Sequence, residues 1–176
     1  MRRRRFIISS IAIGGIAAAG AGLGFGQLKN EKDLTITTLL HVLEALPLKT
    51  YTFSGTWNAF QTFSHLAQSI EYSMTGYPMH KSDLFKSLVG KSVFSLFAKQ
   101  GSMSHGLSEA IPGAPPINPL GPTLEALTRL VHTIQAFNSF SAELQPHFAY
   151  GKLSHAEYTA AHVMHVYNHF EELVLG

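Results

Sequence analysis

The sequence predicts an all-α fold: a four-helix bundle with a short accessory helical segment and a long Pro/Gly-rich crossover loop. Three observations carry that expectation. Apolar residues recur at three- and four-residue spacing from residue 27 onward, no stretch sustains the apolar/polar alternation of a strand, and helix start and stop signals fall between the periodic runs.

The first helix is expected over Ile36 to Leu46, with Pro47 ending it because proline cannot donate the next helical hydrogen bond. The segment PLKTYTFSG then reads as a connector. A second helix should run from about Thr56 to Thr75. Phe60, Phe63, Ala67, Ile70 and Met74 form its apolar seam, Gly76 stands at the C-terminal cap and Pro78 follows. Lys81 to Lys99 reads as one or two shorter helices interrupted near Gly90. Residues 101–122 carry five prolines, which makes them a long loop or crossover, and loops of that length usually carry function. A third helix is expected from Thr123 to about Ser141, with Glu125 in its first turn favoured by the helix dipole. The fourth opens on a capping box, Ser154-His155-Ala156-Glu157, and is expected to continue to about Leu175.

Composition narrows the function classes. A chain of 176 residues that is 45% hydrophobic is long enough for one domain with its own core. Arg2 to Arg5 account for four of the 13 basic residues, leaving nine against 11 acidic ones in the rest of the chain. Arg129 is the one arginine beyond them, so the electrostatic footprint of a nucleic-acid binder is missing and no nucleic acid is expected as partner. With no cysteine, any metal must be held by nitrogen and oxygen.

Residues 1–26 have the layout of an export signal: basic start, apolar middle, small residues at the end. Arg3-Arg4-Arg5-Phe6-Ile7 resembles a bacterial twin-arginine signal, although Arg2 and Ile8 depart from its usual flanks. Its apolar run of about 20 residues would also just span a bilayer as an uncleaved anchor. The expected organisation is therefore an export signal or N-terminal anchor over 1–26 and a bundle domain over 27–176. The domain is expected outside the cytoplasmic membrane, on the periplasmic or envelope side, touching a membrane only through an uncleaved N-terminal segment.

Ten histidines are a heavy load for this length. His165 and His169 are one helical turn apart, about 6 Å along the axis on a single face, where two imidazoles can converge on one cation. His162 extends the stripe, but it lies about 10 Å from His169 and is expected to be a neighbour rather than a ligand. His65 sits in the second helix on a polar stripe with Gln61, Gln68 and Tyr72, which are expected to orient it or to bond a ligand. Such a stripe needs partners, and the imidazole pair of the last helix would supply one through a shared ion. His41, His80, His105, His132, His147 and His155 are read as surface or satisfied core residues without a role. Trp57, Phe60 and Phe63 are read as packing.

The stretch WNAFQTFSHLAQSIEYSMTGYP, residues 57–78, followed by HVYNHFEEL, resembles the DinB/YfiT-like superfamily of four-helix bundles, over about residues 32–175. Within it the likeness is to a branch described only as a domain of unknown function. The resemblance implies a divalent metal, zinc, nickel or iron, held by His65, His165 and His169, with Asn168 standing where relatives often carry an acid or a histidine. It also implies a small-molecule partner, with low-molecular-weight thiols as the candidate class; separately, a homodimer is a candidate assembly. Two readings stay open: a metal-dependent transferase or hydrolase in which Glu171 and Glu172 are not named as base, and a non-catalytic exported metal- or ligand-binding bundle.

Overall fold

Helix α1 (Ile36–Ala45) starts at Thr35, whose side chain accepts a hydrogen bond from the Thr38 amide. The computed structural model describes residues 35–46 and 50–176; the expected leader and Pro47 lie outside them. Helix α2 (Ala59–Thr75) begins three residues later than its apolar seam suggested. Asn58 and Gln61 form a reciprocal capping box there, each side chain bonding the other's backbone N–H. Gly76 ends the helix with φ at 107°, a conformation that side-chain-bearing residues rarely adopt.

The accessory segment is one helical run in three pieces: α3 (Asp83–Phe85), a π-helical turn (Lys86–Gly90) and α4 (Lys91–Gln100). The expected interruption near Gly90 is thus a change of helical pitch rather than a break. Residues 101–122 form the predicted loop, pinned inward by buried Met103 and Ile111. Its far end is tied to the start of α2, where the Asn58 side-chain amide donates to the Pro119 carbonyl at 3.0 Å. Helix α5 (Thr123–Asn138) follows, ending two or three residues before the expected point. Helix α6 (His155–His169) opens on the predicted Ser154/Glu157 capping box.

Two expectations fail at the C-terminus and in the connector. Helix α6 ends at His169, not near Leu175, and a 3-10 turn (Phe170–Glu172) leads into a short strand, β2 (Leu173–Leu175). That strand pairs antiparallel with β1 (Tyr51–Phe53), which lies in the segment read as a plain connector. Leu173-Val174-Leu175 is apolar and lacks a charge or helix cap to hold it helical. Pairing with Tyr51-Thr52-Phe53 satisfies backbone groups that the helix end would leave open.

α2 packs along α5, α1 lies against α5 and α6, and α6 also meets α2 and α4. The main core gathers Leu39, Leu43, Phe63, Leu66, Leu130 and Val166 among others, all buried to within 0% exposure. A smaller cluster of Phe94, Met103, Ala161 and Met164 fastens α4 and the loop to α6. Across the bundle, Arg129 of α5 holds Glu71 of α2 through two hydrogen bonds. Among the described residues, no helix is long and apolar enough to cross a membrane.

Candidate metal centre

Helix α6 is buried nearly all round. Besides Tyr158, Val163, Met164 and Val166 it buries the polar residues His162, Asn168 and His169. Polar groups in such a place need partners. Its i,i+4 pair, His165 and His169, faces α2, where His65 is 3% exposed rather than set on an outward polar stripe.

The three imidazoles meet. One ring nitrogen from each of His65, His165 and His169 lies within 4.8 Å of the others. Ring centroids are 5.1 Å apart for His65 and His165, 5.0 Å for His65 and His169, and 4.9 Å for the helical pair. The Nε2 atoms of His65 and His165 approach to 3.3 Å. Two nitrogens bound to a tetrahedral zinc at about 2.0–2.1 Å would stand roughly 3.3–3.4 Å apart, so this separation suits a shared cation. His169 is fully buried, and neither of its ring nitrogens has a hydrogen-bond partner among the described residues; the same holds for His65 Nδ1. An imidazole stripped of water with no partner is costly, and a coordinated ion would remove that cost at the ligating nitrogen. The donor set therefore fits a divalent metal.

Protonation favours the same use. Burial, then the neighbouring His105, lowers the pKa of His65 from 6.5 to about 4. Burial, then His65 and His105, lowers His169 to about 2, and burial with the surrounding imidazoles holds His165 well below 6.5. All three are neutral near pH 7, the form that binds metals. Trp57 closes one side, its ring 4.9 Å from that of His65 and stacked at 6.3 Å on that of His169. This is packing, as the sequence suggested, but packing that seals the site.

The expected supports of His65 do not hold its Nδ1. Gln61 caps α2, and no hydrogen bond reaches His65 Nδ1 from Gln61, Gln68 or Tyr72. His162 is buried and bonds Ser73. The Ser73 hydroxyl donates to the Ile70 carbonyl at 2.6 Å, so His162 Nε2–H donates to Ser73 Oγ at 3.1 Å. His162 is thus outside the triad. Asn168 is 3% exposed, and its Oδ1 accepts the backbone N–H of His105 at 3.2 Å.

His105 and His147, which the sequence left without a role, both border the site. The His105 ring lies 4.8 Å from that of His165 and 5.4 Å from that of His169. A cavity of about 220 Å³ opens beside the triad, lined by His65, His105 and His165 together with His147, His162 and Lys81. His147 Nδ1 accepts hydrogen bonds from the Ala149 and Tyr150 amides, each at 3.2 Å, which leaves the ring proton on Nε2. Burial is the main cause that lowers its pKa to about 3, so it is a fixed neutral donor. Of the others, His41, His80 and His132 are exposed, and His155 stacks on Phe137 at 4.5 Å, as a satisfied packing residue would. Single-residue spacing could not find His105 or His147; the one available signal was their placement in loops rich in proline and glycine or aromatic residues.

A family model described as protein of unknown function (DUF1569) matches residues 28–175. No curated protein and no solved structure matches the chain.

Proposed function

Since the chain belongs to the DUF1569 family, whose description names no reaction, the chemistry must come from the site, and we propose a metal-dependent transferase or hydrolase acting on a small molecule. His65, His165 and His169 would hold one divalent ion, zinc, nickel or iron. The carrying observation is the convergence of three neutral imidazoles, with both ring nitrogens of His169 and Nδ1 of His65 buried without a hydrogen-bond partner. When bound, such an ion supplies Lewis acidity to a group entering from the cavity.

The remaining roles belong to the chain itself. Trp57 keeps water from the far side of the triad. His165, the partly exposed member, and His65 both face the cavity, so the approach of a small molecule is through that opening. The His147 Nε2–H offers a hydrogen bond to an acceptor on that molecule, and Lys81 stands at the rim as a cation. A low-molecular-weight thiol is the candidate partner class, supported by the likeness of the histidine arrangement to that of DinB-like bundles. Export by the arginine-rich N-terminal segment is part of the same proposal, supported by Arg3-Arg4 followed by Phe6-Ile7.

Elemental analysis of protein purified without an affinity tag tests the reading. Wild-type protein should carry one equivalent of a divalent metal, and H65A, H165A and H169A should each lose most of it. Equal metal content in all four proteins would overturn the proposal. The alternative of a non-catalytic metal-binding bundle predicts the same metal loss but no turnover of any thiol or ester substrate.

A further inference from the structure

The crossover loop brings its own imidazole to the triad. Met103 and Ile111, buried at 7% and 5% exposure, anchor the loop on either side of His105. Between those anchors the backbone N–H of His105 is captured by the buried side chain of Asn168, which lies one residue before His169 on α6. The result is a ring whose centre lies 4.8 Å from that of His165 and 5.4 Å from that of His169; its nitrogens stay outside the group that the triad forms within 4.8 Å, so ligation requires this exposed ring to turn inward.

The tautomer suits a ligand. His105 Nδ1 lies 3.0 Å from the Gly106 carbonyl oxygen, which can only accept, so Nδ1 carries the proton and Nε2 of the neutral ring keeps a free lone pair. A ligating histidine that donates its other N–H to a backbone carbonyl is the arrangement that orients and strengthens metal-binding imidazoles. Among the described residues, no such hydrogen bond to a carbonyl holds the exposed His41, His80 or His132.

Resting on the metal reading above, we propose that His105 is a fourth, displaceable metal ligand, delivered by the loop to the coordination position that the three helical histidines leave open. The three helical donors are buried or partly buried on rigid elements, whereas His105 is exposed on a loop and lines the cavity. It is therefore the donor that an entering small molecule can replace. Asn168 is the residue that positions it, through the side-chain oxygen that accepts the His105 amide.

Proton NMR of the cobalt(II)-loaded full chain decides the matter, because each coordinated imidazole contributes one exchangeable N–H resonance shifted far outside the normal range. Wild-type protein should show four such signals, and H105A three, with cobalt affinity reduced roughly 10- to 100-fold. An H105Q variant, which retains a polar side chain in the loop, should also show three. Three signals in the wild type, unchanged in H105A, would overturn the fourth ligand and leave the triad standing. Failure of the wild type to take up cobalt at all would overturn both.

Discussion

Two histidines outside the triad, buried His162 and half-buried His147, contribute to the pH response of this protein. His147 and His162 each have a pKa lowered from 6.5 to about 3, with burial the first cause in both and the charge of nearby histidines next. The groups facing them include His80, His155 and Tyr158, none of which offers a carboxylate to stabilise an imidazolium. Between about pH 6.5 and pH 3 the unfolded chain therefore binds more protons than the folded one. Stability is complete above pH 6.5 and falls as the pH is lowered through that window, by at most about 1.4 kcal/mol per pH unit for each such histidine. Urea midpoints measured at pH 7.5 and pH 5 should differ in that direction, and H162Q should flatten the difference. A midpoint higher at pH 5 than at pH 7.5 would contradict the assignment of neutral rings.

At the scale of elements, the site depends on how the accessory helix meets the loop that carries His147. Gly90 has an ordinary helical φ of −58°, so its small size rather than its backbone freedom is what matters. A Cβ built there would run into the carbonyl oxygen of Ala149, a backbone atom with no rotamer to escape by. Ala149 in turn donates its amide to His147 Nδ1. G90A should therefore push the loop away, costing about 1–3 kcal/mol despite alanine's better helix propensity, and should disturb His147 before it disturbs the triad. Chemical denaturation gives the first quantity, and the ring resonances of His147 and the triad give the second. An unchanged midpoint would mean that the loop yields freely. The short β1–β2 pair plays a similar part at the other end of α6, since the Ser54 amide donates to the Glu172 carbonyl at 2.8 Å just beyond His169.

For the whole molecule, the metal and the fold should be linked. The triad joins α2 to α6 across 100 positions of sequence, so an ion bound there adds a cross-link that the unfolded chain cannot reproduce. Free metal at 100 times its dissociation constant should stabilise the wild type by about 2.7 kcal/mol, and H165A much less. Thermal unfolding with chelator and with added zinc measures this, and identical shifts in both proteins would place the ion elsewhere.

Much of this was open to reading in the chain. The spacing of Phe63, Ala67 and Ile70, the Ser154/Glu157 box and Gly76 specify helices through local physics, and a one-turn spacing puts His165 and His169 on one face in any helix. That His65 opposes them is legible once a bundle is assumed, because facing helices must share their buried polar groups. Loop geometry is not local. His105 reaches the triad only because Met103, Ile111 and Asn168 hold residues distant in sequence against α6, and the proton of His147 sits on Nε2 only because two folded amides claim Nδ1. The Leu173–Leu175 strand likewise exists because Tyr51–Phe53 is there to pair with it. Short-range periodicity and capping specify where the helices begin and that the imidazole pair shares a face. Which further histidines border that pair depends on contacts between segments far apart in the chain, and these exist only once the bundle and its loops have packed.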